Sequence, residues 1–188
     1  GADVNSKNRN GATPLHAAVL KSDFKIIRFL VENGADVNGK DQIGITPLYA
    51  AIENNNLEII WFLVEKGADV NSKNRNGATP LHAAIENNDF KIVRFLVENG
   101  ADVNSAIQKG KTPLYYAILK DNLEIVGFLV ENGARVNVKD QKEKTPLYYS
   151  IKKRNFEIAS FLIKNGADVN SKNRSGATLL HVAIENND

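Results

Sequence analysis

The 188-residue chain has no cysteine and no methionine, and only one tryptophan, Trp61. Without cysteine it has neither a disulfide framework nor a thiolate metal site, which fits a reducing, cytoplasmic setting. No stretch approaches the roughly 18 consecutive apolar residues of a membrane-spanning helix. No signal peptide stands at the first residues. The formal net charge of +2 is too small to mark a nucleic-acid footprint. The chain is read as a segment with no membrane and no nucleic-acid partner.

Proline is sparse but ordered. The five prolines all sit in Thr-Pro-Leu triplets, beginning at Thr13, Thr46, Thr79, Thr112 and Thr145, and the triplet returns as Thr178-Leu179-Leu180. Gly-Ala-x-Val-Asn keeps the same 33-residue step from Gly1 through Gly34, Gly67, Gly100 and Gly133 to Gly166. A fixed period of this size marks a stacked repeat array. Gly1 to Ala18 is identical to Gly67 to Ala84, as expected of a two-repeat duplication.

One unit, Gly67 to Asn99, shows how the residues dictate local structure. Thr79 is an N-cap and Pro80 fits the first helical position, where its missing N–H costs nothing. A short helix follows through Leu81, Ala83, Ala84 and Ile85 and stops near Asn87-Asn88, asparagine being tolerant of the left-handed conformation. Asp89 caps a second helix, Phe90 to about Asn99, with Lys91, Arg94 and Glu98 as its polar stripe. Gly100 ends it, and Asp102 to Gly110 reads as an extended turn or short hairpin. Such a unit cannot bury its own apolar surface and needs neighbours.

The period, Asp41-x-x-Gly44-x-Thr46-Pro47-Leu48, Thr79-Pro80-Leu81-His82-Ala83-Ala84 and Gly100-Ala101-Asp102-Val103-Asn104 together resemble ankyrin repeats over the whole chain. The resemblance implies an all-α solenoid in which a turn projects from each antiparallel helix pair. Turn tips and first helices would form a concave face. It also implies full units near 8–40, 41–73, 74–106, 107–139 and 140–172 with a half unit from Asn173. A start inside a turn, a stop after one helix and the missing initiator methionine are expected of a fragment of a longer array. The asparagine of Val-Asn, for instance Asn71 or Asn104, resembles the one that oxygen-dependent hydroxylases modify in this family; an asparagine bonding across its turn accounts for it equally.

Three departures mark weak points. Glu143 stands where Gly11, Gly44, Gly77, Gly110 and Gly176 stand, Arg154 takes a position that is Asn55 or Asn88 elsewhere, and Leu179 replaces the helix-starting proline. A left-handed Glu143 costs on the order of 1–2 kcal/mol.

No catalytic grouping is legible. His16, His82 and His181 share one repeat position. Repeats stack at roughly 8–10 Å, so the nearest two are about 16–20 Å apart and cannot share a metal whose bonds are about 2 Å. Each imidazole is expected to bond near its own turn. No paired carboxylates, phosphate-cradling loop or nucleophile triad is present. The chain is therefore read as a non-enzyme without cofactor or metal.

What varies between repeats carries function. Residues 133–165 hold eight basic side chains against three acidic ones, and Lys109, Lys111 and Lys120 extend this ridge. The expected partner-binding residues are Lys109, Lys111, Lys120, Lys142, Lys144, Lys152 and Lys153, with an acidic protein or peptide steered toward them. A solvated lysine-rich face is the plain alternative. Ile43 and Ile45, apolar residues at the second turn, complete the expected set. Tyr115-Tyr116 and Tyr148-Tyr149 are expected to pack between repeats or to edge the groove, and Trp61 to be exposed on the second-helix side. The leading reading is a monomeric interaction scaffold. A spacer in a long array and a recruiting module of a larger protein compete with it. The richness in Asn, Lys and Ile, typical of A+T-rich coding, also admits a secreted microbial effector.

Overall fold

The structure, a computed structural model, describes residues 3–185. Eleven helices follow one another among these residues, and no strand does. They come in pairs: α1 Pro14–Leu20 with α2 Phe24–Glu32, α3 Pro47–Glu53 with α4 Leu57–Glu65, and α5 Pro80–Glu86 with α6 Phe90–Glu98. The series continues with α7 Pro113–Leu119 and α8 Leu123–Glu131, α9 Pro146–Lys152 and α10 Phe156–Lys164, and then α11 Leu179–Glu185 alone. Each first helix packs on its own second helix and on the first helix of the next pair, giving a two-layer helical solenoid.

Local chemistry sets each boundary. Proline opens every first helix from α1 to α9, and a threonine in extended conformation precedes it. Asp23, Asn56, Asp89, Asn122 and Asn155 cap the second helices by accepting the amide three residues on, at 2.8–3.2 Å. Between paired helices Ser22, Asn55, Asn88, Asp121 and Arg154 take positive φ, 52° to 61°. The core runs the length of the stack through buried Leu15, Leu48, Leu81, Leu114 and Leu147 on first helices and Leu63, Leu96, Leu129 and Leu162 on second helices.

Neighbouring units are also stitched by polar bonds. Asn5, Asn38, Asn71, Asn104 and Asn137 each donate Nδ2–H to the glycine carbonyl of the following unit, at 2.8–3.0 Å. The Oδ1 of each accepts the backbone amide two residues beyond that glycine, at 2.7–2.9 Å. These asparagines therefore bond to the next unit, a longer reach than the within-turn bond expected from sequence.

The connecting segments are turns. In all but one, an Asn or Asp side chain organises the tip: Asn8, Asp41, Asn74, Asp140 and Asn173 each accept the amides two and four residues on. The hairpin expectation reduces to one isolated bridge, Lys172 to Thr178. Turn tips also touch. A Cβ added at Gly44 would meet Asn74 Cα at 2.9 Å, so that turn admits only glycine without movement. Glu143, in the equivalent place one turn from the end, adopts φ 57°, the left-handed value expected there.

Candidate functional site

The fourth and fifth turns bring five of the expected lysines together. Lys109, Lys111, Lys142, Lys144 and Lys152 line one cleft of about 410 Å³ with Tyr115, Tyr149, Gln141 and Asp140. Five lysines thus share one cleft with a single acidic residue, Asp140. Lys111 Nζ stands 4.5 Å from the centre of the Tyr115 ring, and Lys144 Nζ stands 4.4 Å from that of Tyr148. The first tyrosine of each pair is buried and its ring fixes where the lysine head sits.

Asp140 is fully engaged. Its Oδ1 accepts the Lys142 and Lys144 amides at 2.8 and 2.9 Å, and its Oδ2 accepts the Tyr149 hydroxyl at 2.5 Å. Burial first, and then that bond to Asp140, push the Tyr149 hydroxyl well above the ordinary phenol range. The tyrosines form a continuous edge-to-face series, Tyr116 to Tyr115 at 5.2 Å, Tyr115 to Tyr149 at 4.6 Å and Tyr149 to Tyr148 at 5.3 Å. Tyr116 and Tyr149 are half-buried in this series, which joins two adjacent first helices. A second opening of about 520 Å³ continues the basic surface past Lys142 and Lys144 to Arg174.

Two of the expected binding residues face elsewhere. Lys120 pairs with Glu86 at 3.0 Å, and Lys153 donates to the Leu119 carbonyl at 2.5 Å. Asn54 and Asn87, in the same repeat position, reach the Val19 and Ile52 carbonyls in the same way. This position ties one first-helix end to the previous one, and the basic ridge is narrower than the lysine count implies.

At the second turn Ile43 is 58% exposed. Ile45 is half-buried against the core, and its carbonyl accepts His16 Nε2–H at 3.0 Å, so it belongs to the inter-repeat contact and not to an exposed tip. Trp61 is half-exposed on α4, tilted against Phe95 at 6.1 Å.

The histidines are structural, with a longer reach than expected. His16 Nδ1 accepts the Thr13 amide at 3.1 Å, so the proton sits on Nε2 and goes to Ile45 of the following turn. His82 repeats the first bond with Thr79 at 3.2 Å, but its buried Nε2 finds no hydrogen-bond partner. The Tyr116 ring stands edge-on at 5.6 Å. Burial holds the His82 imidazole down at about pKa 4, against a smaller opposing pull from the Lys111 carbonyl. Among the described residues no three His, Asp or Glu side chains gather as metal ligands, and no helix is long and apolar enough to cross a membrane.

One feature of the site escaped the sequence reading. The fourth turn carries Ile107 where the other five carry Asn or Asp. Its tip residue, Lys109, has φ 80°, unlike the corresponding residue of any other turn. Positive φ at the third residue of a turn is the type II arrangement. Without the Asx oxygen to hold it, the central peptide has turned over. The signal was present in sequence, as the one aliphatic residue in an Asx column.

Comparison with known proteins agrees with this architecture. Models described as "Ankyrin repeats (3 copies)" match residues 1–74 and 66–140, and one described as "Ankyrin repeats (many copies)" matches 129–183. The chain is similar to the ankyrin repeat domain of Bcl-3, described as a unique member of the IkappaB protein family. Identity is 29% over 97% of this chain and 82% of that one, with a TM-score of 0.88. No curated protein matches. Ankyrin repeat domains are generally protein–protein interaction modules. With repeat models matching almost end to end on a solenoid of paired helices, the chain belongs to the ankyrin repeat family.

Proposed function

We propose that this chain is a non-catalytic interaction scaffold. It binds an acidic protein or peptide on the face formed by its turn tips and first helices, at the fourth and fifth turns. The observation that carries the reading is the cleft in which Lys109, Lys111, Lys142, Lys144 and Lys152 meet one carboxylate whose oxygens are already hydrogen-bonded. Such a concentration of one sign steers an oppositely charged partner and selects against basic ones. Lys120 and Lys153 support the scaffold and Ile45 supports packing; Ile43 is an apolar contact outside the cleft.

The test is capture from a cell lysate at low and high salt, with the native chain and with Lys142→Glu and Lys144→Glu combined. A partner retained at low salt, and lost both to salt and to the reversal, is the expected result. A partner indifferent to the reversal overturns the assignment to this cleft. The identity of Gly1–Ala18 with Gly67–Ala84 favours a second reading, a spacer whose job is stacking; failure to capture any partner under either condition supports it.

A further inference from the structure

We propose that the partner segment is extended in the polyproline II conformation and presents carboxylates three residues apart, with uncharged residues between them. One carboxylate faces Lys111 and the next faces Lys144. This rests on the acidic-partner reading above and adds a spacing to it.

Lys111 and Lys144 are equivalent residues one 33-residue step apart. Each ammonium is held over a tyrosine ring, at 4.5 and 4.4 Å, and both rings belong to buried side chains on adjacent first helices. The two cations are therefore fixed at the translation of the array, unlike lysines that sweep a wide volume. Adjacent repeats stack at roughly 8–10 Å. A polyproline II chain has three residues per turn and advances about 3.1 Å per residue, so residues three apart lie on one face about 9 Å from each other. An acidic residue at every third position meets successive cations; adjacent acidic residues cannot.

Asp140 sets the intervening positions. Its carboxylate shares the lining with both lysines, with Oδ1 on the Lys142 and Lys144 amides and Oδ2 on the Tyr149 hydroxyl. One negative charge thus sits in the same lining as the two cations. An additional carboxylate between the two contacts would be brought into the lining that Asp140 shares and be repelled by it. The pattern ends on both sides, because Ala78 and Ala177 occupy the lysine position in the flanking turns. At this repeat position the array therefore offers one pair of ring-held cations.

The experiment compares two fluorescein-labelled octapeptides of equal composition, glutamate and serine only. One has glutamates at its third and sixth positions, the other at its third and fourth. Binding is followed by anisotropy against the whole chain. The spaced peptide is expected to bind about tenfold more tightly, since its second contact becomes intramolecular. Lys111→Ala is expected to bring the spaced peptide down to the level of the adjacent one, and Lys25→Ala on α2 to change neither. Equal affinities overturn the spacing while leaving the acidic-partner reading intact. Absence of binding by both, at low salt, overturns the two together.

Discussion

Lys120 directs its ammonium to Glu86, 3.0 Å away and one repeat back, and not toward the cleft its neighbours line. Sign and repeat position made it a binding candidate; its partner makes it a tie between first-helix ends.

Replacement therefore separates the two groups of lysines. Lys142→Ala is expected to weaken an acidic peptide with unchanged stability. Lys120→Ala is expected to leave peptide affinity unchanged and lower stability by at most about 0.5 kcal/mol, as for a partly exposed pair. Anisotropy and urea denaturation on the same two variants read both quantities.

The fourth turn offers a stabilising substitution. Ile107→Asn restores the side-chain acceptor that five turns possess and should return Lys109 to negative φ. Two recovered hydrogen bonds, set against the loss of a half-buried isoleucine, are expected to raise stability by about 1 kcal/mol. The urea midpoint measures it, and a midpoint at or below the native value counts against the account.

Turn-tip geometry gives a matched pair. Glu143→Gly relieves a left-handed glutamate at φ 57° and is expected to stabilise by about 1 kcal/mol. Gly44→Ala places a Cβ 2.9 Å from Asn74 Cα and is expected to destabilise by more than about 1 kcal/mol. Opposite shifts in thermal midpoint are the expected readout.

The histidine column predicts a pH effect. Burial depresses the His82 pKa to about 4, below its ordinary 6.5. The unfolded chain then binds more protons between these values, so the stabilising contribution is complete above about pH 6.5 and is lost as pH falls toward 4. His82→Tyr, which installs the residue found at Tyr49, removes this term. The native chain should lose on the order of 2 kcal/mol more than the variant between pH 7 and pH 4. Parallel stability curves would exclude it.

Between repeats, Asn104→Ala breaks the bonds to the Gly133 carbonyl and the Arg135 amide together. A loss of about 1–2 kcal/mol is expected, with amide exchange speeding up first at Gly133 to Arg135.

Much of this was legible because the repeat multiplies each signal. Thr-Pro-Leu at a constant step placed the first helices, and Asp89 with Gly100 bracketed the second. What sequence did not disclose were contacts set by reach. Lys120 and Lys153 are long enough to touch the preceding unit, as the shorter Asn54 and Asn87 also do. Ile45 looked like its exposed neighbour Ile43, and simple alternation would put the two on one face, yet Gly44 between them takes φ 81° and Ile45 packs on the core while Ile43 stays out. The clustering of Lys109, Lys111, Lys142 and Lys144 was readable because stacking superimposes equivalent positions. The turning over of the 108–109 peptide needed the bond pattern of the other five turns for contrast.

Trp61, the sole tryptophan, lies against Phe95 at the junction of the second and third units, whereas the paired tyrosines lie in the fourth and fifth. The chain thus carries two natural fluorophores in different parts of one array. Indole emission follows the parting of α4 from α6, and tyrosine emission, from four of the five tyrosines, follows the fourth and fifth units once Tyr49 is replaced by phenylalanine. A denaturation of that Tyr49→Phe chain recorded at both wavelengths would show whether the solenoid melts as one body or in segments, with no label attached.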